Sequence, residues 1–156
     1  MYKIFVIGLI GVMLVSCNKS KNVEIVETFE DGATKIRKTI KNRKENIYLY
    51  EELYQSGQVK IVGEMKDDKR FGEWKAYHEN GNVWSVGEYV EGKRQGFSEV
   101  FFPNGVKNIS GYYKNDRPDS IWIIYDNLGD TSQVTLYRNN EIVKSYNKST
   151  MAPLRQ

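Results

Sequence analysis

The chain has 156 residues, a length that suggests one domain once any processed segment is removed. Lys and Arg number 23 against 20 Asp and Glu, and a net charge of +3 is too small a surplus to argue for a nucleic-acid binder. A single cysteine rules out an intramolecular disulfide, and 13 Gly and 11 Tyr against 3 Pro suit strands and tight turns more than helices.

The first 17 residues read MYKIFVIGLIGVMLVSC. Lys3 precedes an apolar run over residues 4–15. That run is shorter than the roughly 20 residues a helix needs to cross a bilayer, and it fits the apolar core of a secretory signal. Cys17 directly follows Leu14-Val15-Ser16. This run resembles the lipobox of bacterial lipoproteins. The resemblance implies that residues 1–16 are a signal peptide and that Cys17 becomes the lipidated first residue of the mature protein. Several acyl chains would then hold it on a membrane, each buried CH₂ adding about 0.8 kcal/mol. Asn18, where an Asp favours inner-membrane retention in enteric bacteria, implies the outer membrane. Residues 17–22 read as the lipidated cysteine and a polar tether.

Residues 23–40 look like a degenerate first repeat, with Asp31-Gly32 as its turn. Thr34, Ile36, Lys38 and Ile40 alternate with Lys35, Arg37 and Thr39 as in a strand. Lys35, Arg37, Lys38, Lys41, Arg43 and Lys44 form the densest basic cluster of the chain. Near a lipid anchor they could attract anionic headgroups, but lysines that guard a solvated edge strand are the favoured reading.

A 24-residue unit then returns: Gly57, Gly81, Gly105 and Gly129 keep that step. So do Gly63, Gly87 and Gly111 with Thr135 in the fourth slot, Gly72 and Gly96 with Ser120 next, and Tyr77, Phe101 and Tyr125. Such a period signals a repeat architecture. Each unit reads as strand, two-residue turn, strand, longer turn. Asn80-Gly81 and Asn104-Gly105 are expected as type I′ turns, in which both central residues need positive φ. Residues 66–70, 91–95 and 115–119 are expected as the longer, charged turns. A two-residue loop at Asn80-Gly81 places Trp74 opposite Gly87. The equivalent pairs are Tyr50 with Gly63, Ser98 with Gly111, and Trp122 with Thr135. An aromatic ring over a cross-strand glycine covers exposed backbone and would explain glycine in mid-strand.

Both faces of such a sheet carry aromatic residues. One holds Tyr50, Trp74, Tyr89, Tyr113 and Trp122; the other holds Tyr77, Trp84, Phe97, Phe101, Tyr112 and Tyr125. No helical pattern is present to cover either, so an elongated single-layer antiparallel sheet leaves apolar area exposed, which marks a partner site. Tyr77, Trp84, Phe101, Tyr112 and Tyr125 are the candidate partner-binding residues, because aromatics dominate binding hot spots.

The units at residues 77–96 and 101–115 run aromatic, Asn-Gly, Gly-Glu-Tyr or its like, then Gly-Lys and Gly. They resemble the bacterial variant of the MORN repeat. The resemblance covers residues 53–125 and implies an all-β hairpin solenoid used for protein or membrane contacts. Proteins with this pattern are often called antitoxin components of toxin–antitoxin pairs. Strands over residues 131–138 and 141–146, joined at Asn139-Asn140, would cap the repeats, so the repeat region spans residues 23–146. Residues 147–156 are expected to be a flexible tail.

Chemistry is weakly signalled. His78, the only histidine, is expected as a solvated strand-end residue. The acids Asp67, Asp68, Glu91, Asp116 and Asp119 lack the spacing of a calcium loop, and no phosphate-binding Gly-Lys-Ser/Thr loop occurs. Glu73 and Glu88 are expected to face each other as exposed carboxylates. The expectation is therefore a non-enzymatic binding module of the cell envelope, without metal, cofactor or nucleic acid, whose partner is a protein or a surface polymer. An antitoxin-like partner is the alternative, and a carboxylate-dependent hydrolase the weaker third.

Overall fold

A computed structural model describes residues 22–148. The expected signal peptide, Cys17 and most of the tether and tail lie outside these residues. The described chain is a single antiparallel sheet of 11 strands whose spatial order is their sequence order. The strands are β1 (Val23–Thr28), β2 (Thr34–Asn42), β3 (Ile47–Leu53), β4 (Val59–Lys66), β5 (Lys69–Tyr77), β6 (Val83–Val90), β7 (Lys93–Phe101), β8 (Lys107–Lys114), β9 (Arg117–Tyr125), β10 (Thr131–Arg138) and β11 (Glu141–Asn147). The sheet is open, with β1 and β11 as its edges. Extensive contacts join each strand only to its neighbours in sequence, as in other solenoids. No helix occurs among the described residues.

The expected cross-strand pairs are all present. Tyr50 faces Gly63, Trp74 faces Gly87, Ser98 faces Gly111 and Trp122 faces Thr135. Glu73 and Glu88 also face each other.

The turns are the reverse of the expectation. The residues read as long turns make the two-residue links. Asp67-Asp68, Glu91-Gly92 and Asn115-Asp116 have positive φ at both positions, and so does Asn139-Asn140, where a hairpin turn is the expectation. Each pair directly joins two strands, the signature of a type I′ hairpin. At Asn80-Gly81 and Asn104-Gly105 only the glycine has positive φ. There the loop is longer: His78 N–H bonds the Asn82 carbonyl at 2.8 Å, and Gly81 N–H bonds the His78 carbonyl at 2.9 Å. The same pair of bonds closes the turns that begin at Phe29, Tyr54, Phe102 and Asp126. The Asn side chain has another task here. Its Oδ1 accepts the N–H two residues on, from Asn82 at Asn80 and from Val106 at Asn104, both at 3.0 Å. This is an Asx turn, which needs no positive φ at the Asn. A bulge beside each of these loops absorbs the extra residue, so the mid-strand register is unchanged.

A second set of register shifts lies past the type I′ turns, between Gly63 and Glu64, between Gly87 and Tyr89, and between Ser110 and Tyr112. Opposite them stand Gly72 at φ 67°, Gly96 at φ 89° and Ser120 at φ 59°. The recurring Gly at this slot is thus a left-handed bulge position. Ser120 is the departure, and a left-handed L-residue costs roughly 1–2 kcal/mol. Glycine loses more chain entropy on folding, which takes back part of that. Ser120→Gly is expected to stabilise the domain by about 0.5 kcal/mol or more, read as a higher urea midpoint at unchanged slope.

Candidate partner-binding surface

A one-layer sheet has little interior. Tyr48, Leu53, Trp74 and Ala76 are the buried apolar residues among those described. What takes the place of a second layer is a row of rings on one face. Tyr50 lies 5.7 Å from Trp74, and Trp74 lies 6.1 Å from Tyr89. Further on, Tyr113 lies 4.8 Å from Trp122, which lies 6.5 Å from Tyr137. Most of these contacts are edge-to-face, the arrangement that ring quadrupoles favour.

The two tryptophans cover glycine, but across the type I′ hairpins and not across the longer loops. Trp74 lies on Gly63 and Trp122 on Gly111, each one strand back from the expected direction. Their indole N–H groups donate to the carbonyl of the next residue, Glu64 and Tyr112 respectively, both at 3.0 Å. Guanidinium groups close the row: Arg70 sits 4.2 Å over the Trp74 ring and Arg94 sits 4.0 Å over Tyr113. Stacked cations of this kind are held by the negative ring face.

The candidate residues Trp84 and Tyr112 are exposed, at 45% and 48%. Tyr77, Phe101 and Tyr125 are half-buried near the longer loops. The Tyr77 carbonyl accepts the Tyr54 hydroxyl at 2.7 Å, and the Phe101 carbonyl accepts a ring N–H of His78 at 3.0 Å. Tyr125 pairs its hydroxyl with Ser110 at 3.3 Å. No ring contact joins any two of the five, among the described residues. Their neighbours are others: Trp84 meets His78 at 6.1 Å and Tyr112 meets Phe97 at 5.0 Å. Phe97, at 41% exposure, and Ile121, at 51%, stand on β7 and β9 either side of Tyr112 and extend its apolar surface. Their signal in the sequence was their place on the same face as Tyr112.

His78 is not a solvated strand end. It is half-buried and bridges to the next repeat, as Tyr54 does one repeat earlier. Asn80 and Asn82 extend the link, both donating to the Pro103 carbonyl at 2.8 Å. These bonds fix the spacing of successive loops.

Lys35, Arg37, Lys38 and Lys41 of the basic cluster lie on β2, which is paired on both sides and is not the edge, and Arg43 and Lys44 lie in the turn that follows it. The cluster's charges largely meet carboxylates. Arg37 holds Glu51 through two bonds at 2.7 and 2.8 Å, Lys35 holds Glu27 at 2.5 Å, and Lys41 bonds Glu64. The Glu51 hydrogen bonds raise Arg37 above its ordinary pKa. The turn acids are also engaged. Asp68 accepts the Tyr48 hydroxyl at 2.6 Å, and burial followed by this bond pushes the Tyr48 phenol up. Asp116 accepts the backbone N–H and Nε–H of Arg94, which hold its carboxyl below the usual range. Among the described residues no group of three or more His, Cys, Asp or Glu is placed to hold a metal.

The fold and surface define a class: a single-layer sheet of β-hairpin repeats with exposed aromatic side chains. No protein-family model matches the chain, and no curated protein matches its sequence.

Proposed function

We propose that this chain is a cell-envelope lipoprotein of the MORN-like repeat type, anchored through Cys17, whose sheet binds a protein or surface polymer without enzymatic chemistry. The observation that carries the binding part is the exposure of Trp84 and of the contacting pair Phe97 and Tyr112 on a sheet with no covering layer among the described residues. Apolar area left in this way is characteristic of interaction sites, and large aromatics supply most of the energy in them. The anchor part is supported by the run Leu14-Val15-Ser16-Cys17 after a short apolar segment.

The test uses cells expressing the native chain, Cys17→Ala, and a Trp84→Ala/Tyr112→Ala double variant. The native chain should fractionate with membranes, begin at Cys17 and carry acyl mass, while Cys17→Ala carries none. Cross-linking in intact cells should give a discrete adduct that the double variant loses while keeping its strand circular dichroism. A native chain that stays full-length and cytosolic would overturn the envelope reading and favour the antitoxin-like one. An adduct unchanged in the double variant would remove this surface from the binding role.

A further inference from the structure

The row of rings has a gap, and the repeat shows what fits it. Position by position, the slot filled by Trp74 and Trp122 is held in the intervening repeat by Ser98. Gly63 and Gly111 are pressed under indole rings, so that a Cβ on either would lie 2.3 or 2.2 Å from ring carbon. Gly87 occupies the same slot and has only Ser98 near it, with Oγ 3.3 Å from where a Cβ would stand. The Ser98 hydroxyl bonds the Val86 carbonyl at 3.2 Å, beside Gly87, and leaves the space above without a ring. The ring row breaks at this point, between Tyr89 and Tyr113. A cavity of about 190 Å³ takes its place, lined by Trp74, Gly87, Tyr89, Arg94, Ser98 and Tyr113. An apolar cavity of roughly 150 Å³ is enough to hold benzene.

The geometry points to this cavity as a binding site for an indole ring, carried by a tryptophan side chain of a partner polypeptide. The chain itself displays the indole-on-glycine contact twice. Trp74 lies edge-on to Tyr89, and Trp122 to Tyr137; the equivalent wall of the cavity is Tyr113. Trp122 also lies edge-on to Tyr113 on its other side, and the equivalent there is Tyr89. Arg70 stacks on Trp74, and Arg94 stands in the corresponding place. The indole N–H of each native tryptophan bonds the carbonyl that follows its glycine. The carbonyl that follows Gly87 is that of Glu88, a residue with no register partner on β7. The floor, both walls, the cation and the acceptor are therefore in place, and the ring alone is missing. This reading stands whether or not Cys17 is lipidated.

The test is an NMR titration of the full ¹⁵N-labelled chain in detergent micelles with N-acetyl-tryptophanamide, beside N-acetyl-alaninamide. Saturable shifts centred on the Gly87, Glu88 and Ser98 amides are expected with the tryptophan compound alone, with a Kd on the order of 1 mM for a single buried ring. Ser98→Trp supplies the ring from within and should abolish those shifts while raising the Tm by about 4 °C. Ser98→Leu, a smaller plug, should also abolish them and serves if Ser98→Trp does not fold. Shifts that are absent, that do not saturate, that appear equally with the alanine compound, or that persist in a folded plugged variant would overturn the assignment.

Discussion

Trp74→Ala should destabilise the domain by about 3–5 kcal/mol, the range for removing a buried large aromatic. The residue is 4% exposed in a sheet that buries few others. Its ring covers Gly63, its N–H satisfies the Glu64 carbonyl, and it links Tyr50 to Tyr89 under the Arg70 guanidinium. Truncation removes all of these together and opens the backbone of β4 to water. Single domains are stable by only about 5–15 kcal/mol, so roughly a fifth or more of the total goes with one side chain. Trp84→Ala should cost less than about 1 kcal/mol, because a half-exposed ring gives up little buried area. Urea unfolding followed by far-ultraviolet circular dichroism separates the two. Equal losses would mean that burial under the ring row is not what holds the sheet.

Gly63→Ala should be the second large effect, about 2–3 kcal/mol, and its cause is overpacking. Gly63 is not in a positive-φ conformation, so the added methyl brings no backbone penalty of that kind. Its Cβ would stand 2.3 Å from Cδ2 of Trp74, and that ring is confined by Tyr50, Tyr89 and Arg70. Gly87→Ala makes the same chemical change in the same slot one repeat later. It meets only the Ser98 side chain, at 3.3 Å from Oγ, and should cost less than about 1 kcal/mol. A difference in urea midpoint between these variants reads the presence or absence of a covering ring. If both cost the same, the glycines are kept for a reason other than the space above them.

Much of this fold is legible from the period alone. Gly57, Gly81 and Gly105 mark the longer loops, and one reflection about Asn80-Gly81 yields pairs such as Trp74 with Gly87 that the sheet contains. Apart from the hairpin turn at Asn139-Asn140, the loop types are not legible. Asn before Gly suits a type I′ turn, but here the Asn oxygen caps the loop and a bulge absorbs the extra residue. Asp67-Asp68 carries no glycine, yet both residues take positive φ, which Asp tolerates better than most. The target of each indole ring was hidden for a related reason. A mid-strand residue has a neighbour on either side, and pairing through one hairpin says nothing about which of them the ring covers.

The aromatic content of the two faces could be read from alternation, but the exposure of individual rings could not. Trp74 and Trp84 look alike in sequence, and the first is buried while the second is half-exposed. The difference comes from adjacent strands: Trp74 lies over a glycine beside Tyr50 and Tyr89, whereas the ring beside Trp84 is that of His78 at a loop. The gap at Ser98 was present in the repeat alignment as a break in the series Trp74, Ser98, Trp122. Only the contact between each indole and its glycine gives that break a meaning.

The claim at the centre of this account is that rings lying on glycines take the place of a second layer. A double-mutant cycle on Gly63 and Trp74 tests it most directly, with unfolding free energies measured for the native chain, Gly63→Ala, Trp74→Ala and the pair. If the methyl is costly because the ring is there, Gly63→Ala should cost about 2 kcal/mol less in the Trp74→Ala background than in the native chain. Costs that add within about 0.5 kcal/mol would contradict the claim.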